Sequence, residues 1–96
     1  MLRFAVLPLA LVAAPALASD HYRAEPITAP AQAHFVARHN VWRCGEAGCA
    51  STRSSARPAI VCATLARQIG ALKSFSVEGR TFDAEALASC NRRAAR

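Results

Sequence analysis

The sequence lacks the short motifs by which catalytic and cofactor-binding sites are usually recognised. No two cysteines are spaced as Cys-x-x-Cys, which argues against a thioredoxin-type dithiol and against covalent haem attachment. There is no nucleophile elbow, phosphate-binding loop or paired-carboxylate signature. The six acidic residues have local explanations in turns, a helix cap or the N-terminal arm. We therefore expect a protein that is not an enzyme and that binds no cofactor.

The only long apolar run lies at the N-terminus, which reads MLRFAVLPLALVAAPALASD. A basic residue at position 3 precedes apolar residues 4–14, and a small-x-small site ends at Ala18. This is the layout of a secretory signal peptide over residues 1–18. The apolar run is shorter than the roughly 20 residues that a membrane-spanning helix needs. We predict cleavage between Ala18 and Ser19, which gives a periplasmic or secreted product without a membrane span.

Large apolar residues are scarce in the predicted mature chain. Removing 18 of the 96 residues leaves 78, of which 15 are Val, Ile, Leu, Phe, Trp or Tyr and 17 are alanine. A domain of this size buries a limited core and usually needs crosslinks. An even number of cysteines in a short exported chain predicts disulfides. All four cysteines lie in the mature part, at Cys44, Cys49, Cys62 and Cys90.

The region before the first helix divides into an arm and a hairpin. Residues 19–33 contain two prolines and little large apolar content, which predicts an extended, mobile arm. Residues 34–96 are predicted to form one small domain. Its first part contains β-forming residues around the glycine-rich turn GEAG, which predicts a short β-hairpin. These β-formers are Phe35, Val36, Val41 and Trp42.

Two amphipathic helices follow. Pro58 suits the first position of a helix and Gly70 suits its end, so the apolar spacing between them predicts a helix over about 58–69. Asp83 is a plausible N-cap for a second helix over about 84–94. The predicted fold class is α+β, a small disulfide-stapled domain with a short N-terminal β-hairpin and two packed helices.

The positions of the cysteines favour one pairing. Cys62 and Cys90 lie on the apolar faces of the two predicted helices, so packing of these faces would bring their Cα atoms within about 7 Å. Cys44 and Cys49 flank the glycine-rich turn. We therefore favour Cys44–Cys49 and Cys62–Cys90, while the two crossed pairings stay open. Trp42 is either a core anchor beside the first pair or an exposed surface contact.

The charge of the mature chain is strongly positive. It keeps 11 basic and all 6 acidic residues, a net charge of +5, and ten of the basic residues are arginine. This excess is compatible with an anionic envelope component such as lipopolysaccharide or acidic polysaccharide. The arginines are scattered and not interleaved with aromatic residues, so no nucleic-acid partner is expected.

Metal handling is a minor alternative. Ligating residue types recur every five residues, a period that matches neither a helix nor a strand. Structural zinc sites more often use ligands two to four residues apart, and an exported location favours oxidised sulfur. We therefore predict no metal site. The residues that the alternative would use are His34, His39 and reduced Cys44 and Cys49.

The segments WRCGEAGC, RPAIVC, LARQIGALKSF and LASCN occur in this order over about residues 35–93. In this arrangement the chain resembles a family of small exported proteins of unknown function from Caulobacter- and Sphingomonas-type alphaproteobacteria. The resemblance implies a bacterial source and an envelope location, and it implies no activity, cofactor or catalytic residue. Together with the residues, it predicts a non-catalytic periplasmic module that binds another envelope protein or, alternatively, an anionic ligand through its arginine-rich surface.

Overall fold

The computed structural model describes residues 20–95, and the predicted signal peptide with its Ala18–Ser19 cleavage site lies outside them. Residues 20–95 form a small α+β domain with an antiparallel sheet, two helices and two disulfides, which confirms the predicted fold class. The elements in chain order are β1 (Tyr22–Pro26), β2 (His34–Ala37), β3 (Asn40–Gly45), β4 (Gly48–Ser51), α1 (Pro58–Ile69), β5 (Leu72–Val77), β6 (Arg80–Thr81) and α2 (Ala84–Asn91).

The sheet is larger than the predicted hairpin. Its six strands are all paired antiparallel, in the order β2-β3-β4-β1-β5-β6. The predicted hairpin corresponds to β3 and β4, and β2 extends it at one edge. Both helices lie against one face of the sheet, because α1 contacts β2 and β5 while α2 contacts β5. The other face is left without a helix among residues 20–95.

The prediction of a mobile arm was wrong for the segment that forms β1. This strand lies inside the sheet between β4 and β5. Tyr22 and Ala24 are buried whereas Arg23 is exposed, which is the alternation of a strand covered on one face. The sequence hid this pattern because one of the two inward positions is only an alanine, and because Pro26 suggested a loop. Pro26 stands at the end of β1, where the pairing with β5 shifts register.

Helix α1 has the predicted bounds, and α2 ends three residues earlier than predicted. The Asp83 carboxylate caps α2 as expected and accepts a hydrogen bond from the Ala86 N–H at 2.8 Å. After Asn91 the helix gives way to a turn, and the chain continues towards α1. The Ala95 N–H then donates to the Ala66 carbonyl at 3.0 Å, so the C-terminal segment leaves the helical path.

The core consists of the inward side chains of the sheet and the inner face of α1. Trp42 is completely buried, so it is a core anchor, and the alternative of a surface contact was wrong. Its ring lies 6.4 Å from that of Tyr22, which lies 6.0 Å from that of Phe75. Leu65 and Leu72 complete this layer. With so few large side chains, each aromatic ring accounts for a large share of the buried apolar area.

Candidate functional site

A groove runs between the outer sides of α1 and α2. We call it the arginine groove, because three arginines line it: Arg38, Arg67 and Arg93. Its cavity volume is about 370 Å³, within the range of small-ligand sites. Its apolar lining comes from both helices and the residue before the α2 cap. These apolar residues are Ala59, Ile60, Ala63, Phe82 and Ala86.

Three separate elements place the arginines. Arg67 lies in the last turn of α1, and Arg93 follows the end of α2. Arg38 is the first residue of the two-residue turn between β2 and β3 and has φ = 61°. That conformation costs a non-glycine residue about 1–2 kcal/mol. Residues far apart in sequence are therefore brought to one cavity, one of them at the expense of backbone strain.

The groove carries positive charge only. None of its three arginines forms a salt bridge with any of residues 20–95. No aspartate or glutamate is among the residues that line it. An arginine guanidinium offers five N–H donors in a planar fork that suits carboxylates and phosphates. The groove thus has the donors to hold an anion, and no carboxylate of residues 20–95 lines it to compete for them.

The groove differs from end to end. Arg67 follows Ala66 in α1, and Arg93 stands two residues before Ala95, whose N–H donates to the Ala66 carbonyl, so the two arginines lie towards the same end of the groove. Ile60 and Phe82 lie near the starts of α1 and α2, at the other end. Phe82 also packs edge-on against Phe75, with 4.9 Å between the ring centroids. Arg67 and Arg93 therefore lie at one end of the groove, whereas Ile60 and Phe82 provide apolar surface towards the other end, and Arg38 lies on the side of the β2–β3 turn.

The Cys62–Cys90 disulfide holds the two walls of the groove together. Its Cα atoms are 5.7 Å apart, and Cys90 itself lines the cavity. Asn91 adds a second anchor for α2, because its side-chain amide donates to the Leu72 carbonyl at 2.9 Å and accepts from the Leu72 N–H at 2.8 Å. The spacing between α1 and α2 is thus fixed by one covalent link and by the attachment of α2 to β5.

A second cavity of about 680 Å³ lies beside the start of α1. Arg53 and Arg57 line it, but so does Glu78, whose carboxylate is 3.6 Å from the His21 ring nitrogen. The first turn of α1 has no side-chain cap. The charge in this cavity is mixed, so the arginine groove is the stronger candidate for anion binding.

The remaining residues singled out by sequence do not form a site. Cys44 and Cys49 face each other across the β3–β4 turn and are joined by a disulfide, so both predicted pairs are present in the structure. The metal-handling alternative needs these two sulfurs as thiolates. Within residues 20–95, no three His, Cys, Asp or Glu side chains are grouped so that they could hold a metal ion. His34 lies at the start of an edge strand and His39 in a turn.

Sequence reasoning missed the arginine groove. It treated the arginines as scattered, which is true along the chain and false in space. A signal was present, since Arg67 lies off the apolar stripe of its helix and Arg93 follows a helix bridged to that one. The contribution of Arg38 depends on the β2–β3 turn, whose position relative to α1 cannot be read from local patterns.

The disulfides are compatible with a periplasmic or extracellular protein. Among residues 20–95, neither helix has the length and apolar character needed to cross a bilayer. No curated protein and no solved structure matches the chain. The model of a family of unknown function, DUF8200, matches residues 7–92, and the chain therefore belongs to that family.

Proposed function

We propose that the protein is an exported, non-catalytic binding module of the bacterial cell envelope, and that its arginine groove binds an anionic ligand. The observation that carries this proposal is the set of three arginines, from three elements, that line one cavity and have no carboxylate partner among residues 20–95. Arginines within a structure usually gain a carboxylate or solvent as their partner. Arginines grouped in a concave site without one favour an external anion.

The composition of the groove supports a binding role over a catalytic one. Among residues 20–95, its lining contains no histidine, aspartate, glutamate, lysine or tyrosine, and its cysteine is in a disulfide. Arginine stays protonated at every physiological pH. The groove therefore offers no group that could take up a proton near neutral pH, as general acid–base catalysis requires.

The envelope location rests on the N-terminal sequence and the two disulfides. Expression of the full chain in a Gram-negative host tests it by intact mass spectrometry of the periplasmic fraction. We expect a mass that begins at Ser19 and is lower by four hydrogens than that of the fully reduced chain. An uncleaved chain with four free thiols in the cytosol would remove the proposed location.

Binding is tested with a sulfated polysaccharide matrix, which presents many anionic groups. We expect the mature protein to be retained at low salt and released as salt rises, because screening weakens exposed charge interactions. The double variant Arg67→Ala/Arg93→Ala should elute at clearly lower salt than wild type.

The matched control is Arg80→Ala/Arg92→Ala, which removes the same charge from exposed positions outside the groove. This control should elute closer to wild type than the groove variant does. Equal elution of the two double variants would show that net charge alone causes retention. Either that result or no retention of wild type would contradict the proposal.

A further inference from the structure

We propose that the ligand of the arginine groove is an anionic amphiphile, a single-chain lipid with a phosphate headgroup. The headgroup would be held by Arg67 and Arg93, and the hydrocarbon chain would lie along the apolar lining towards Ile60. This inference rests on the proposed function, because it specifies the chemistry of the anion that the same groove binds. It follows from the separation, along the groove, of the Arg67 and Arg93 guanidinium groups from the apolar surface of Ile60 and Phe82.

The cationic end suits a phosphate. Arg67 approaches this end from α1 and Arg93 from the turn after α2, and the hydrogen bond between Ala95 and Ala66 joins these two segments there. Two forked donors on opposite walls can hold several oxygens of one headgroup at once. No carboxylate of residues 20–95 lines the groove to repel it.

The apolar end suits a hydrocarbon chain better than it suits a purely polar anion. Ile60 is 44% exposed, one of only four large hydrophobic side chains that are substantially exposed in residues 20–95. It lines the same cavity as the arginines, together with Phe82. A polar anion would leave this apolar surface in water, whereas a hydrocarbon chain would bury it.

The dimensions favour one chain. The groove holds about 370 Å³, close to the lower limit of ordinary ligand cavities. The Cys62–Cys90 bridge joins the two helices beneath it, so the walls cannot separate widely while the disulfide is intact. A single narrow chain fits these walls better than a lipid with two chains side by side.

Titration calorimetry on the mature, oxidised protein tests the inference with three probes: octyl phosphate below its micellar concentration, inorganic phosphate and octyl maltoside. We expect octyl phosphate to bind on the order of tenfold more tightly than inorganic phosphate, because the chain buries apolar surface. Octyl maltoside should bind more weakly than octyl phosphate, because it lacks the charge.

Two pairs of variants locate the ligand. Arg93→Ala should weaken binding of both phosphates, whereas the neighbouring control Arg92→Ala should not, since Arg92 does not line the groove. Ile60→Asn should weaken octyl phosphate and leave inorganic phosphate unchanged. Ile27→Asn, at a more exposed isoleucine outside the groove, should change neither.

The outcomes separate this inference from the proposed function. Equal affinities for octyl and inorganic phosphate, both reduced by Arg93→Ala, would overturn the amphiphile and leave anion binding intact. Equal affinities for octyl phosphate and octyl maltoside would overturn it as well, because the headgroup charge would then be irrelevant. Anion binding that is indifferent to Arg93→Ala, or no binding of either phosphate, would overturn both proposals.

Discussion

Arginine is used differently on the two sides of this molecule. On the open face of the sheet, Arg23 and Arg43 both lie opposite Ala50 in the register, and the Asp20 carboxylate binds both guanidinium groups. The Asp20 side chain is only 6% exposed, and its single negative charge, held between the two guanidinium groups, offsets part of their positive charge. On the helical side, Arg38, Arg67 and Arg93 line a cavity without any such partner among residues 20–95.

The presence or absence of a carboxylate partner indicates which arginines are available to bind a ligand. A compensated arginine already has its donors directed at a carboxylate, so a ligand would have to displace that carboxylate before it could bind. An uncompensated arginine in a concave site is available to an anion from solution. The arginines of the open face and those of the groove thus differ in how available they are to an anion, and the following variants test this difference.

The largest effect is expected from the disulfide that holds the helical side together. Cys62→Ala/Cys90→Ala opens a loop with a sequence separation of 28 residues, and loop-closure entropy predicts a loss of about 3.5 kcal/mol in the free energy of unfolding. Small domains have a net stability of roughly 5 kcal/mol, so this variant should be close to unfolded. Urea unfolding followed by tryptophan fluorescence measures it, since Trp42 is completely buried.

The matched variant removes the other bridge. Cys44→Ala/Cys49→Ala opens a separation of only 5 residues in a hairpin that the strand pairing already holds, so the expected loss is about 2 kcal/mol. This variant should keep its affinity for anions, because neither cysteine lines the arginine groove. If it lost more stability than the Cys62–Cys90 variant, the importance assigned to the link between the helices would be wrong.

The next effect concerns Asp20. Asp20→Asn removes the negative charge that partly offsets the positive charges of Arg23 and Arg43, and since both arginines are about half exposed, we expect a stability loss of about 1 kcal/mol. The informative measurement is retention on the sulfated matrix in the Arg67→Ala/Arg93→Ala background. In this background, Asp20→Asn should raise the salt concentration at which the protein elutes. The reason is that Arg23 and Arg43 on the open face lose their carboxylate partner and can bind the sulfate groups of the matrix.

Glu25→Gln is the control for that experiment. It changes the net charge of the protein by the same amount as Asp20→Asn, at a glutamate on β1. Glu25 accepts a hydrogen bond from the Ser74 hydroxyl and has no arginine partner among residues 20–95. It should therefore raise retention less than Asp20→Asn does. Equal shifts for the two variants would mean that compensation by Asp20 does not distinguish the two sides.

The sequence was most informative where one local signal was enough. Helix α1 was predicted with its correct bounds because Pro58 and Gly70 bracket a regular apolar stripe. The Cys62–Cys90 pair was favoured because packing of the two apolar faces could bring a cysteine on each face within bonding range, and the structure confirms it. Asp83 was recognised as a cap because capping depends only on the next three residues.

The rest depended on relations between distant segments. Strand β1 was missed because its inward Ala24 carries little apolar signal, although the strand is stabilised by pairing with both β4 and β5. The β2–β3 turn brings Arg38 to the helices only through the order of strands in the sheet. No local pattern encodes a cavity whose walls come from three elements, so the groove could not be predicted from the sequence.

The smallest effect on stability, and a direct test of the groove, is expected from Arg38→Gly. Glycine adopts φ = 61° without steric cost, which favours the folded state. It also loses more backbone entropy on folding than arginine does, which opposes that gain, so the free energy of unfolding should change by less than about 1 kcal/mol. Affinity for octyl phosphate should nevertheless fall, because one of three uncompensated charges is lost. Glu78→Gly, at φ = 51° in the β5–β6 turn, relieves a similar strain outside the groove. It should leave affinity unchanged, and an equal loss in both variants would show that Arg38 affects binding only through the backbone of a turn.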